Sequence, residues 1–380
     1  MAQVMWVRRD ALGVSRLAEA AVVGSAGGTD PGSAAAPVGS ADVSELADGA
    51  VRLRIETFSL TANNVTYAIF GTRMRYWDFF PAPDGWGCVP MWGHATVAES
   101  RHPDVAPGER VYGYLPPASH LAVVPDRVAP AHFVDAAEHR QPMAAIYNRY
   151  ARLAADPEHD PAREDARMIL GPLFKTGFLI EASLRRHSWH GAAQLIMTSA
   201  SSKTAMALAR CTQVASPAMR RVGITSAAHV DFVTATGLYD DVVTYDAIDG
   251  LAPVPSVSVD FAGNAAALRA VHVRLEPVLR ASALVGSTHV DARSGGGAPL
   301  PGPAPRLFFA PTEAVELARE MGAPALDRAM AEAWRDFVAA TERLLRVEHR
   351  EGLAQAERTY HEVRTGRADP ATAVVVTLPA

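Results

Sequence analysis

Cysteine is nearly absent from this 380-residue chain, which carries only Cys88 and Cys211. Two thiols can build neither a four-cysteine zinc lobe nor a disulfide framework, and such scarcity suits a reducing compartment, so a cytoplasmic protein is expected. Long apolar runs are missing too, and with them any reading as a signal peptide or a membrane span. Neither sign of charge dominates: 36 Lys and Arg stand against 41 Asp and Glu, a net charge of −5. No basic run with interleaved aromatics offers a track for a nucleic-acid backbone, so neither nucleic acid nor membrane is an expected partner. What remains, 49% hydrophobic and 20% charged residues, is the composition of a soluble globular chain long enough for two domains.

A further absence is local. Residues 194–210, QLIMTSASSKTAMALAR, contain no glycine. Leu195-Ile196-Met197-Thr198 is a short apolar run of the buried-strand kind, residues 205–210 are strong helix formers, and a hydroxyl-rich turn joins them. Strand, tight turn and helix suit a phosphate, because a helix's first amides are unpaired and its dipole is positive there. Ser199, Ser201, Ser202 and Thr204 add hydroxyl donors and Lys203 a charge. Dinucleotide sites use glycines to bring the backbone against pyrophosphate, and here alanine and serine stand in their place. The other reading is an ordinary turn with a serine N-cap.

Along the rest of the chain the periodicity changes once. In residues 1–50, Trp6-Val7-Arg8-Arg9 is a strand start and residues 24–44, rich in Gly, Ala, Ser and Pro, read as a flexible surface loop. Val51, Leu53 and Ile55 alternate with Arg52, Arg54 and Glu56 as a half-buried strand; strands at 93–99 and 111–114 follow around a turn at 107–110. Residues 51–160 are therefore expected to form a small β-rich domain. From 161 to 325 strands alternate with helices: helix 173–185, the central strand, strand 221–225, a helix near 228–236, strands 241–245 and 256–261, helix 265–275, strand 281–287, a short strand at 307–310 and helix 312–321. That alternation predicts a parallel, doubly wound sheet. Residues 326–380 hold most of a long helix, 325–348, and a β-prone run, 373–378, placed to return to the first sheet.

With these pieces in order, the chain resembles the medium-chain dehydrogenase/reductases. Pro107-Gly108-Glu109-Arg110-Val111-Tyr112-Gly113 is similar to that superfamily's "pGDrV.G" turn and strand, and Val89-Pro90-Met91-Trp92-Gly93-His94-Ala95-Thr96-Val97 to its "P..G.e..G.V" entry. Gly223-Ile224-Thr225-Ser226-Ala227-Ala228-His229-Val230-Asp231-Phe232 resembles the second Rossmann strand and following helix of the quinone and enoyl reductases, and Asp240-Asp241-Val242-Val243-Thr244-Tyr245 the "d.vi.Y" segment. The resemblance implies an α/β chain made of a GroES-like β-rich domain and a Rossmann domain, in the zinc-free quinone/enoyl reductase-like branch or an uncharacterised subfamily of it. Where zinc alcohol dehydrogenases carry an early cysteine, this chain has Leu60-Thr61-Ala62-Asn63-Asn64-Val65. His94, at the position of a zinc-ligating histidine, is read as a hydrogen-bonded structural residue, and no metal is expected.

The resemblance also supplies candidate site residues. The second Rossmann strand ends in Thr225-Ser226-Ala227 with no carboxylate until Asp231, which favours NADP(H) over NAD; Thr225 and Ser226 are phosphate donors with Lys203 beside them, or caps of the next helix. Asp260-Phe261-Ala262-Gly263 and Val285-Gly286-Ser287-Thr288-His289 stand at the carboxyl ends of two expected strands, where open α/β sheets bind ligands. Gly263, Gly286 and Phe309 are candidates to line the nicotinamide, and His289 is a candidate acid or base. From the first domain Asn63, Asn64, Tyr67 and Tyr76 lie in the substrate-facing loop of the zinc-free reductases, with Tyr76 the candidate proton donor, Asn64 a candidate amide, and Tyr76-Trp77-Asp78-Phe79-Phe80 equally readable as a buried plug. The expected function is a zinc-independent NADP(H)-linked reduction of an activated C=C or C=O in a small apolar substrate. Two alternatives stay open: a non-redox ligand-binding or scaffold protein with a degenerate cofactor turn, and non-redox chemistry with His289 as base. A homodimer through residues 281–287 as the edge of the Rossmann sheet is expected by analogy.

Overall fold

The computed structural model describes residues 2–20, 22–23, 46–285 and 299–379, so the expected loop at 24–44 and the candidates Gly286 and His289 lie outside the described residues. The chain divides into two compact units, one of Met1–Ile169, Val347–Arg367 and Ala373–Ala380, the other of Leu170–Arg346 and Ala368–Thr372.

The first unit is built on two sheets. Strands β1 (Ala2–Arg8), β2 (Ser15–Ala20) and β4 (Trp86–Gly87) form the smaller, in the order β2-β1-β4. The larger takes in β3 (Val51–Leu60), β5 (Met91–Ser100), β6 (Arg110–Leu115), β7 (His120–Val123), β8 (Pro125–Ala129), β9 (His132–Asp135), β10 (Arg149–Arg152), β17 (Arg346–Glu351) and β18 (Thr372–Thr377). Its order is β17-β18-β3-β5-β6-β10-β9-β8, with β7 also on β3. β3 is its spine because Val51, Leu53 and Ile55 are fully buried while the arginines between them keep partial exposure. β18 returns from the chain's far end to lie antiparallel on β3, Val374 opposite Leu60 and Thr377 opposite Thr57. Helix α1 (Ala62–Ile69) leads into a short turn, Tyr76–Asp78, entered through Arg75 in the left-handed region at φ 62°. Trp77 explains two glycines nearby: a Cβ on Gly71 or Gly87 would lie 2.0 or 2.4 Å from its ring.

The second unit is the doubly wound layer. β11 (Gln194–Met197), β12 (Arg220–Thr225), β13 (Asp241–Thr244), β14 (Ser256–Asp260), β15 (Leu279–Leu284) and β16 (Arg306–Leu307) run parallel in the order β13-β12-β11-β14-β15-β16. β11 and β14 are buried along their whole length, as strands covered on both faces must be. Between successive strands in sequence come α3 (Lys203–Ala215), α4 (Val230–Ala235) and, after β14, α5 (Ala265–Leu275), preceded by α2 (Glu164–Arg186) and followed by α6 (Ala310–Met321) and α7 (Ala323–Thr341). Ile196, Val222, Ile224, Val271 and Leu275 make the core on the α5 face. Gly177 of α2 lets α3 approach, since a Cβ there would sit 2.7 Å from the Leu208 amide nitrogen.

Two expectations are corrected. The helix expected over 325–348 stops at Thr341, because Glu342–Leu344 tightens into a 3-10 turn and Arg346–Glu351 becomes strand β17 beside β18. Its pattern R-V-E-H-R-E has no apolar face, so only pairing across the sheet reveals it. The strand expected at 281–287 is not the sheet edge: β16 pairs with it, Ala283 opposite Arg306 and Leu284 opposite Leu307, and the chain then enters α6 instead of extending the strand through Ala310. Helix α8 (Leu353–Arg364) completes the fold, and no helix among the described residues is long and apolar enough to cross a membrane.

Candidate functional site: a serine-rich turn and an aromatic face

In the second unit the strand ends gather Ser199, Ser201, Ser202, Lys203 and Thr204 after β11, Thr225 and Ser226 at the end of β12, and Gly263 after β14. The turn has a definite conformation. Ser199 takes φ 50°, its N–H donates to Tyr245 Oη at 3.0 Å, the Ala200 N–H donates to the Ile224 carbonyl at 3.0 Å, and Tyr239 Oη donates to the Ala200 carbonyl at 2.7 Å. Ala200 replaces a glycine without obstructing the turn because its methyl points into a gap left by Gly223, where a Cβ would lie 2.8 Å from both Ala200 Cβ and Tyr239 Cδ1. The glycine missing from the turn is supplied across the sheet.

Ser202 is the N-cap of α3, its Oγ accepting from the Ala205 N–H at 3.3 Å. The amides of Ser201, Lys203 and Thr204 have no partner among the described residues and stand at the positive end of α3. Ser201 Oγ lies 3.1 Å from His229 Nδ1. Half-buried Lys203 is pushed down to about 8 by desolvation, with Asp369 opposing the shift. His229 is likewise lowered by burial against the pull of Asp369. Thr225 is 1% exposed, so it is a buried residue of the sheet, whereas Ser226 is partly exposed and makes no capping bond. Gly263 has φ 66° and its N–H is engaged by Asp260 Oδ2 at 3.2 Å; buried Asp260 also accepts from the Thr198 hydroxyl, which ties the ends of β11 and β14 together. Phe309 caps α6 beyond β16, two strands from β14. Free amides, a partly desolvated ammonium and a turn whose one methyl is tucked away fit a phosphate of a dinucleotide.

In the first unit the cross-strand pairs Trp92–Tyr114, His94–Tyr112 and Thr96–Arg110 line one face of β5 and β6. Tyr67, Tyr76 and Tyr147 add to it: ring centroids are 4.6 Å apart for Tyr67 and Tyr76, 5.5 Å for Tyr67 and Tyr114 and 4.9 Å for Tyr114 and Tyr147. Trp92 Nε1 donates to Tyr67 Oη at 3.2 Å, and Tyr76 Oη lies 3.4 Å from Tyr147 Oη. Burial raises Tyr67, with Tyr76 adding to it, and raises Tyr76, whose bond to Tyr147 pulls the other way. Asn64 is not free to address a substrate: its Oδ1 accepts from the Thr61 N–H at 2.7 Å and its Nδ2 donates to the Pro90 carbonyl at 2.8 Å, so its amide caps α1 and anchors the strand before β5. His94 differs from expectation too. It is fully buried with no hydrogen-bond partner on either nitrogen among the described residues, and desolvation pushes it down to about 4, leaving a neutral imidazole. Among the described residues no three His, Cys, Asp or Glu side chains come together as a metal-binding group.

Sequence reading missed Tyr147, Tyr239, His229 and Asp369, and took Tyr245 only as a strand marker. Although His229 and Tyr245 fall within motifs, the part each of the five plays comes from a contact made between distant segments.

Solved structures carry the same architecture. CurA from Vibrio vulnificus matches with a TM-score of 0.57 at 12% identity, covering 100% of this chain and 99% of that one, and it has also been solved in complex with NADPH. The yhdH oxidoreductase from Salmonella enterica, solved in complex with NADP, matches with a TM-score of 0.51 at 15% identity over 100% of both chains. No curated protein matches the sequence. At such identities the likeness establishes the fold alone, a β-rich GroES-like domain with a Rossmann-type parallel sheet. A family model matches residues 58–369, and the chain therefore belongs to DUF2855, a family of proteins of unknown function.

Proposed function

We propose that the protein is a zinc-independent NADP(H)-linked oxidoreductase that reduces an activated C=C or C=O bond in a small apolar substrate. The observation that carries this reading is Lys203: a half-buried ammonium at the start of α3, beside three unpaired amides and the Ser201–His229 pair, with no carboxylate on β12 to repel a 2′-phosphate. A bound nicotinamide would supply the hydride. On the protein side, the amides of Ser201, Lys203 and Thr204 would bind phosphate oxygens and Lys203 and Ser226 would favour the 2′-phosphate; taken by itself, the aromatic face of the first unit is an apolar surface of the kind that holds a small apolar substrate. Tyr76 holds the proton at Oη that completes the reduction. Desolvation raises its pKa, so it is protonated at neutral pH and available as an acid.

Calorimetric titration with NADPH and with NADH tests the reading. NADPH is expected to bind at micromolar strength or better and NADH far more weakly, and Lys203→Ala should cost roughly 10- to 100-fold in NADPH affinity, the range of one charge-assisted contact. One observation favours a second reading, a non-redox binding protein. Tyr245 and Tyr239 already engage the backbone of the turn at Ser199 and Ala200. Absence of heat and of thermal stabilisation with either nucleotide would leave that reading in its place.

A further inference from the structure

Among the described residues Tyr76 has one hydroxyl partner, and it comes from a segment with no motif of its own. Tyr147 lies on the short 3-10 turn Ala145–Asn148, and its Oη is 3.4 Å from that of Tyr76. The other phenols facing the pair are turned to each other and to different groups: Tyr67 Oη receives the Trp92 indole N–H, and the Tyr67 and Tyr114 hydroxyls act on one another. We infer that Tyr147 is a second functional tyrosine, donating its hydroxyl to the phenolate that Tyr76 becomes on giving up its proton, and that Arg140 holds it in place for this.

The argument begins with the cost of charge. Tyr76 is 8% exposed, and an ion formed there loses most of its hydration unless a donor faces it. In the step proposed above the Tyr76 O–H bond breaks, the proton goes to the carbanion or alkoxide produced by hydride addition, and the bonding pair stays on the tyrosine oxygen. Tyr147 O–H donates to that oxygen without losing its own proton, and a proton from water restores Tyr76. Desolvation raises both phenols, and their hydrogen bond lowers Tyr76 and raises Tyr147, the direction of a pair in which Tyr147 donates. The titratable groups packed on the pair are the phenols of Tyr67 and Tyr114, with Arg140 behind them.

Tyr147 is also held more firmly than a turn residue would be by itself. Its carbonyl accepts from Arg140 Nη2 at 2.6 Å. Arg140 is 1% exposed and clamped by Asp135 Oδ2 at 2.9 Å, Asn148 Oδ1 at 3.1 Å and Tyr150 Oη at 2.9 Å, while Asn148 Nδ2 returns a bond to the Arg140 carbonyl at 2.8 Å. Edge contacts with Phe79 at 5.4 Å and Tyr76 at 6.0 Å fix the ring direction. Arg140 is thus a positioning residue, too far behind Tyr147 to meet a substrate.

The catalytic meaning of the pair rests on the proposed reduction, whereas its coupling is measurable without any substrate. The test is 19F NMR of the full chain labelled with 3-fluorotyrosine, whose phenol is more acidic, with the Tyr76 and Tyr147 signals assigned by Tyr76→Phe and Tyr147→Phe. In Tyr147→Phe, which keeps the ring, the Tyr76 midpoint should rise by about one pH unit, a tenfold drop in its acid constant. In Tyr76→Phe, the Tyr147 midpoint should fall. With substrate and NADPH, Tyr147→Phe should lower kcat about tenfold with KM little changed. A Tyr76 midpoint indifferent to Tyr147→Phe in a variant that melts normally overturns the inference; should that variant melt early, an unmoved Tyr147 signal in Tyr76→Phe does the same. Failure of nucleotide binding with the coupling intact removes the reduction reading instead.

Discussion

A side chain at this protein's turn does what glycine does elsewhere, and the reason is legible one residue at a time. Ala200 can stand in the phosphate turn because Gly223 leaves room for its methyl. Gly223→Ala should therefore collide with Ala200 and Tyr239 and cost about 1–3 kcal/mol, the usual range of overpacking, read as a lower urea midpoint at unchanged slope. Lys203 supplies a pH dependence. Its ammonium is lowered from 10.5 to about 8, so it is charged below that pH and neutral above it. NADPH affinity should accordingly weaken as pH rises from 7 to 9, and binding near pH 8 should take up a proton, visible as calorimetric heats that depend on the buffer. Lys203→Arg, charged throughout this range, should flatten the profile. At this scale sequence alone could not tell that the Asn64 amide is already engaged and that the His94 imidazole has no hydrogen-bond partner among the described residues, since both depend on neighbours distant in the chain.

At the scale of elements, the ends of β11 and β14 are joined by one hydroxyl. Thr198 Oγ1 donates to Asp260 and accepts from the amides of Phe261 and Ala262. Thr198→Val keeps the shape and removes all three bonds, taking one donor from buried Asp260 and the acceptor from the Phe261 amide, while Ala262 keeps its bond to Asp260. A loss of about 2–4 kcal/mol is expected from denaturant unfolding, with Thr198→Ser retaining most of the stability. Ser202→Ala, at the N-cap of α3, should cost about 0.5–2 kcal/mol by the same measurement. Most elements were readable because apolar period and buried length differ between strands and helices: α5 was expected over the residues it occupies, and β12, β13 and β14 came within a residue of theirs at each end. β17 was not readable, because its polar alternation acquires meaning only from the strand beside it.

For the whole molecule the decisive feature is the return of the chain's last strand. β18 lies inside the larger sheet, between β17 and β3, with Val374, Val375 and Val376 buried. A chain ending at residue 371 would open the ladder of β3 and strip β17 of its partner. Such a truncation should reduce soluble yield sharply and lower the melting temperature of what remains, whereas removing only the last two residues should not.

The sequence by itself determined the order of a β-rich region and a strand–helix region, and the β-prone character of residues 373–378. These follow from hydrophobic period, turn residues and segment length, which are local quantities. Tertiary structure decided how an alanine fits a glycine's place, which polar groups of the turn are free, and that Tyr76 faces Tyr147 across 71 residues of chain. Those outcomes depend on pairwise distances between segments far apart in sequence, and no local pattern encodes them.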